Sequence, residues 1–181
     1  DAVWETVTPH TTFTQQDPQL GEPATERTEV RLLFGPTAVY VSFVCFDADP
    51  TSIIVSQSKR DASLAETEAV IAVFDTFNDN QNAFVFGTNP LGIEYDGQVA
   101  REGQSSGLSF GGGAAGTQRG GISAFNPNWD GDWVVRETTD ACRRVLAVLG
   151  RKGARYRPSA PLDARWLAGG ICLVVLGLVQ V

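Results

Sequence analysis

The chain has 181 residues and a formal charge of −7, enough length for one domain with a sizeable core and a charge that makes nucleic acid and anionic membranes poor partners. Its three cysteines (Cys45, Cys142 and Cys172) are odd in number and widely spaced, which excludes a disulfide framework and a zinc-type cluster. A single histidine, His10, argues against a histidine-based triad or a His-ligated metal.

Asp1-Ala2-Val3-Trp4 opens the chain without the Met, basic region and apolar run of a signal peptide. It therefore reads as a mature chain or an excised fragment. Trp4 is expected to plug a core edge, and His10, after Pro9, to be an exposed loop residue. Gln15 to Thr28, with Asp17-Pro18 and Glu22-Pro23, reads as a loop.

Glu29 to Phe34 alternates apolar and polar residues, then turns at Gly35-Pro36-Thr37. Ala38 to Phe46 is β-branched, aromatic and alternating, which makes it the clearest strand of the chain. Together they predict a hairpin. Cys45 is expected to be a buried free thiol. Asp47-Ala48-Asp49-Pro50 ends the second strand.

Thr51 to Ser58 reads as a short strand or irregular segment, and Lys59-Arg60-Asp61 as a charged turn. Ala62 to Glu68 predicts one helical turn capped by Asp61 or Ser63. Ala69 to Asp75 and Ala83 to Thr88 are expected to be neighbouring strands. The polar link Asn78-Asp79-Asn80-Gln81-Asn82 suits a tight turn, because Asn and Asp tolerate left-handed backbone. Ile93 to Val99 is a third strand candidate. Arg101 to Gly121 is rich in Gly, Ser and Ala and reads as a flexible loop. Asn126 to Asp132 predicts a turn into a strand from Trp133 to Arg136. Short strands with regular turn signals and no long helical period predict an all-β fold, an immunoglobulin-like antiparallel β-sandwich.

Composition breaks after Asp140. Residues 1–140 hold 20 Asp and Glu against 7 Lys and Arg, a balance of −13; residues 141–181 hold 1 against 7, a balance of +6. The expected division is thus a binding module over 1–140 and an atypical Arg/Ala/Leu-rich tail over 141–181. The apolar end, Trp166 to Val181, is 16 residues long, short of the roughly 20 of a membrane-spanning helix. Three readings stand: a final core strand, a truncated or interfacial hydrophobic tail, and a sequence foreign to the domain, as after a shifted reading frame.

Several segments in order carry a family resemblance: Thr25 to Leu33, Ala38 to Val41, Phe46 to Pro50, Phe74-Asp75-Thr76-Phe77, Asn82 to Gly92, Tyr95-Asp96-Gly97 and Asn128-Trp129-Asp130. From about Val3 to Asp140 the chain resembles a family 9-type carbohydrate-binding domain, in the version found at the N-terminus of large bacterial surface proteins ahead of a membrane-barrel-like region. The resemblance implies a sandwich of two antiparallel sheets, glycan binding with structural Ca²⁺ in some members, no catalysis by the domain, and an extracytoplasmic location (periplasm, outer membrane or secreted). It also implies a link to polysaccharide catabolism, through attached glycoside hydrolases. Two departures stand out. The mid-strand acid that helps hold the sugar in that family corresponds here to Ile71, with Glu66 and Glu68 only nearby. After Asp140 the family's aromatic-rich strand is replaced by Cys142-Arg143-Arg144-Val145-Leu146-Ala147.

Sugar recognition needs flat aromatic faces and planar polar side chains. Trp129 and Trp133, interleaved with Asp130 and Asp132, are candidates, with core packing as the competing role for both tryptophans and the stronger one for Trp133. Asn89 and Asp96 flank the Pro90-Leu91-Gly92 turn and are candidate ligand contacts or loop supports. Asp47, Asp49 and Asp75, with Asp61 and Asp79, are candidate oxygen donors for Ca²⁺. Their spacing is not that of an EF-hand loop, and turn capping is the competing role. A glycosidase needs two carboxylates about 5–10 Å apart across a cleft, which an acidic chain supplies by chance. Gly107-Leu108-Ser109-Phe110-Gly111 has the outline of a nucleophile elbow but sits in a Gly-rich stretch of a chain with one histidine. Gly111-Gly112-Gly113 follows no βα unit, which argues against a phosphate loop.

The expected partner is therefore an oligo- or polysaccharide bound by a non-catalytic module. The alternative is a structural domain of the same fold without sugar affinity, packed against the C-terminal barrel of its parent protein or a surface partner.

Overall fold

The computed structural model describes residues 2–49, 51–56, 58–65, 67–79, 81–100, 125–139, 143–150, 160–161 and 172–176. The protein is all-β, with antiparallel sheets and, among the described residues, one four-residue helix, α1 (Ala2–Glu5). Among the described residues there are ten strands: β1 (Thr28–Phe34), β2 (Ala38–Cys45), β3 (Val70–Asp75), β4 (Asn82–Thr88), β5 (Tyr95–Ala100), β6 (Phe125–Asn126), β7 (Trp133–Thr139), β8 (Arg143–Gly150), β9 (Ala160–Pro161) and β10 (Cys172–Leu176). They form two five-stranded sheets, in the orders β7-β8-β2-β1-β9 and β10-β3-β4-β5-β6. The chain divides into two compact units, residues 1–53 with 132–164, and 54–131 with 165–181. Each unit is built on one sheet. Among the described residues no helix is long and apolar enough to cross a membrane.

In the first unit β1 and β2 form the predicted hairpin, in register from Thr28 opposite Cys45 to Phe34 opposite Val39. Gly35 N–H donates to the Ala38 carbonyl (2.8 Å) and closes the turn. Leu33, Ala38 and Tyr40 form a buried cluster, with Val3, Trp4, Val7 and Val134 packed against it. Trp4 thus packs at a core edge, as its sequence context predicts. A single helical turn carries too little periodicity to be read from sequence, which is why α1 is not foreseen. Arg27, Glu29 and Arg31 alternate along β1 and so share one face. Buried Glu29 pairs with both arginines, at 2.8 Å for Arg31. Arg31 Nε donates to the Val7 carbonyl, which ties the N-terminal segment to the strand. Exposed His10 bonds through its backbone to Val30 in both directions. Cys45 is buried and forms no disulfide, as expected.

Arg143–Gly150, beyond the composition break, is β8. It lies between β7 and β2, paired from Ala38 opposite Gly150 to Cys45 opposite Arg143. Cys172–Leu176, inside the apolar end, is β10 and pairs with β3.

In the second unit the faces of β3, β4 and β5 divide cleanly. Ile71, Val73, Val85, Tyr95 and Val99 lie in one buried cluster with Leu64, Ala69 and Ile93. Phe74, Phe84 and Phe86 alternate onto the opposite face. Two glycines leave space on the core face. A Cβ at Gly87 would lie 2.6 Å from Leu64 Cδ1, and one at Gly97 would lie 2.4 Å from the Phe125 ring. Phe125 thereby lies flat against Tyr95, with ring centroids 5.8 Å apart.

The β3–β4 turn is held by its own carboxylates. Asp75 Oδ1 accepts from the Phe77 and Asp79 amides (3.1 and 3.3 Å). Asp79 Oδ1 accepts from the Gln81 and Asn82 amides, and its Oδ2 from Asn82 Nδ2 (2.6 Å). Asn78 takes a left-handed φ of 53°, as the Asn/Asp-rich turn predicts.

The predicted helical turn at Ala62 to Glu68 does not form among its described residues. The charged turn before it does, with Ala62 N–H on the Lys59 carbonyl. At its end the segment bonds to an earlier stretch of the chain: Glu68 N–H and Thr67 Oγ1 both donate to the Ile54 carbonyl. Leu64 and Thr67 are both fully buried, so burial and cross-chain bonding override local propensity. The stretch Arg101 to Gly121, expected to be a flexible loop and carrying the Ser109 outline and the triple glycine, lies outside the described residues.

Two outcomes are expected. The Asn82 side chain, then the Asn82 and Gln81 amides, hold the Asp79 carboxyl below its ordinary 3.8. A carboxyl lowered on folding stabilises above its ordinary value and loses that contribution as pH falls through the folded value. The melting-temperature gap between wild type and Asp79→Asn is therefore open at neutral pH and closes in acid. Gly97→Ala displaces Phe125 and costs about 1–3 kcal/mol, as overpacking does, measured by chemical denaturation.

Candidate functional site

The second unit gathers four carboxylates around Arg60. Arg60 stands in the turn before Asp61, whose φ of 57° directs the chain sharply and whose N–H donates to the Glu94 carbonyl. That bond sets the Arg60 turn beside the start of β5. Arg60 Nη1 pairs with Glu94, and Nη2 with both Asp96 Oδ1 (3.0 Å) and Asp130. Its Nε faces Asp61 Oδ2 at 3.3 Å. A planar guanidinium with its donors spread in a fork can serve several carboxylates, which an ammonium cannot do in fixed geometry.

Asp96 is the innermost member, with its side chain 1% exposed against 75% for Asp130. Its second oxygen accepts from Gly131 N–H at 2.5 Å. Both Asp96 oxygens are thus used, one by Arg60 and one by the loop before β7. A buried carboxylate is tolerated only when paired and hydrogen-bonded. Burial pulls the Arg60 guanidinium down, and the charges of Asp96, Asp130, Asp61 and Glu94 more than offset that, leaving it above its ordinary value.

The loop that Asp96 and Arg60 hold carries Trp129. The half-buried Trp129 ring lies 4.8 Å from Phe84, tilted 35°, and 5.8 Å from Phe86, edge to face. Phe74 continues the cluster edge-on to Phe86 at 5.9 Å. Pairs of this geometry contribute about 0.5–1.5 kcal/mol each beyond their burial. Gly131 makes the approach possible: a Cβ there would lie 2.9 Å from Trp129 Cη2 and 3.1 Å from Phe86 Cε1.

Of the sequence-derived sugar candidates, Asp96 and Asp130 come together on Arg60, and Trp129, next to Asp130 in the chain, packs on Phe84 and Phe86. Asn89 does not join them. It is buried, and its Oδ1 accepts from the Leu91 amide (3.0 Å) and the Ile93 amide, supporting the turn into β5. Trp133 opens β7 at 1% exposure, so its ring is a core element with no face for a ligand. Arg60, Glu94, Phe84 and Phe86 are the members missed from sequence. Arg60 is visible there only as part of a charged turn, 36 residues from Asp96.

The proposed calcium donors cap turns. Asp47 Oδ1 accepts from the Asp49 amide (2.8 Å), and Asp49 Oδ1 from the Thr51 amide and hydroxyl (3.2 and 2.6 Å). The Thr51 hydroxyl, then its amide, hold the Asp49 carboxyl below its ordinary value. Asp75 caps the β3–β4 turn as described. Among the described residues no three His, Cys, Asp or Glu side chains converge as a metal site. Comparison with protein-family models, curated proteins and solved structures finds no match for this chain.

Asp96→Ala removes the partner of Arg60 and of the buried Gly131 N–H together. The expected loss is about 3 kcal/mol, the low end for breaking a buried pair, because Arg60 is itself 37% exposed. Asp96→Asn, which keeps an acceptor for Gly131, loses less. Denaturation midpoints of the two variants check the order.

Proposed function

We propose that the protein is a non-catalytic carbohydrate-binding module of the family 9 type, with Trp129 as its sugar platform. The carrying observation is the Trp129 ring, half-buried on Phe84 and Phe86, in a loop whose next residue, Asp130, pairs with Arg60. An aromatic face suits the C–H groups of a pyranose, and planar charged groups suit its hydroxyl pairs. The carboxylates converge on Arg60 instead of facing one another across a cleft, which favours binding over hydrolysis.

With that reading goes the immunoglobulin-like antiparallel β-sandwich as the finer description of the all-β fold. Every position of β3 and nearly every position of β2 is buried. A strand buried on both sides needs cover on both, as the strands of a sandwich have. The proposal also includes an extracytoplasmic location in a bacterial surface or secreted protein tied to polysaccharide breakdown. Ca²⁺ remains part of the proposal as a structural ion.

One observation favours the second reading, a structural interaction domain without sugar affinity. Ile71, at the position where the family carries its sugar-holding acid, is 2% exposed within the core cluster. The partner would then be the parent protein's own barrel or another surface protein.

Isothermal titration against a panel of oligosaccharides, with and without Ca²⁺, separates the two. The expected result is binding to at least one glycan and at least a tenfold loss in Trp129→Ala, about 1.4 kcal/mol. Absence of binding to every glycan, or binding unaffected by Trp129→Ala, defeats the first reading.

A further inference from the structure

We propose that Arg60 is a positioning residue for Trp129: by joining Asp96 and Asp130 it holds the Trp129 loop against β4 and determines whether the aromatic platform is assembled. The inference rests on the sugar-platform reading for its functional meaning, but its geometry stands apart from any ligand.

Three segments distant in sequence meet at this guanidinium: the turn at Arg60 itself, the start of β5 with Glu94 and Asp96, and the loop at Asp130. The loop is gripped at the two residues that follow Trp129. Asp130 pairs with Arg60, and Gly131 N–H donates to Asp96, which Arg60 in turn neutralises. Elsewhere the Trp129 ring rests on aromatic side chains and the bare Cα of Gly131. Those contacts are short-ranged and orient the ring only once the loop is in place.

Charge makes the arrangement conditional. With Arg60 present, its cation lies among Asp61, Glu94, Asp96 and Asp130. Without it, Asp96 and Asp130 are left as close like charges, one buried and one on the loop, and repulsion at such range is strong in a partly buried setting. The exposed Asp130 is the one free to move, and the Trp129 backbone moves with it. Lysine cannot substitute fully, since a point charge lacks the fork that serves Nη1, Nη2 and Nε partners separately.

The test uses the full chain labelled with 5-fluorotryptophan. Its four tryptophans give four ¹⁹F resonances, and Trp129→Phe assigns the relevant one. In Arg60→Ala the Trp129 resonance is expected to move toward free 5-fluorotryptophan and to gain a solvent isotope shift, while the resonance of core Trp133 stays in place. Arg60→Lys is expected to fall between wild type and Arg60→Ala. Asp130→Asn, which alters only an exposed group, is expected to shift the Trp129 line alone, and it decides the question if Arg60→Ala does not fold.

A Trp129 resonance unchanged in folded Arg60→Ala, or unchanged in Asp130→Asn, overturns the proposal. Glycan titration of the same variants keeps the two claims apart. A moved resonance in a chain that binds no glycan upholds the positioning role and sinks the sugar reading. A tenfold loss of glycan affinity with an unmoved resonance does the reverse.

Discussion

The Asp96 carboxylate is buried at the start of a strand and has no water to fall back on. Its charge has to be met by Arg60 and by the Gly131 amide, or the second unit would carry an uncompensated buried ion. That requirement reaches across the chain. It draws the Arg60 turn to the start of β5, seats the loop before β7, and leaves Trp129 over Phe84 and Phe86. The hydrophobic cluster lies on the other face of the sheet, and apolar packing of that kind is non-directional. The ion-paired carboxylate selects one loop arrangement.

Much of the sheet scaffold is legible in the residues. Ala38 to Phe46 announces β2 by alternation and β-branching, and the Asn/Asp-rich link after Asp75 announces both the turn and its left-handed residue. Strand periods are local, so they survive without tertiary knowledge. The segment from Ala62 to Glu68 misleads because its Leu64 and Thr67 are buried and its end bonds to the Ile54 carbonyl, a pairing that periodicity does not announce. The site divides the same way. A tryptophan between Asn and Asp in a turn attracts notice from sequence, whereas Arg60 looks like any charged turn residue until β5 is beside it. Trp133, four residues after Trp129, shows the limit from the other side: it opens a strand and is buried at 1% exposure, which proximity to a turn tryptophan does not reveal.

Beyond Asp140 the charge balance reverses, and yet β8 and β10 are strands. Pairing in a ladder uses the backbone, which every residue but proline supplies in full. Side chains need only avoid helix or turn preference, and Val145 to Leu149 and Cys172 to Leu176 are apolar or β-branched throughout. Strand formation there reports on composition, and composition of this kind arises in many sequences.

The four carboxylates around Arg60 differ widely in their access to solvent, from 1% for Asp96 to 75% for Asp130. Dissolved ions screen exposed pairs and barely reach buried ones; at physiological ionic strength the Debye length is about 8 Å. The hub therefore behaves as an axle with a detachable rim. The Asp96 arm stays fixed in any ordinary buffer, while the Asp130 arm loosens as electrolyte rises. The mobility of the Trp129 loop is in this way set by the medium as well as by the fold, graded smoothly instead of switched.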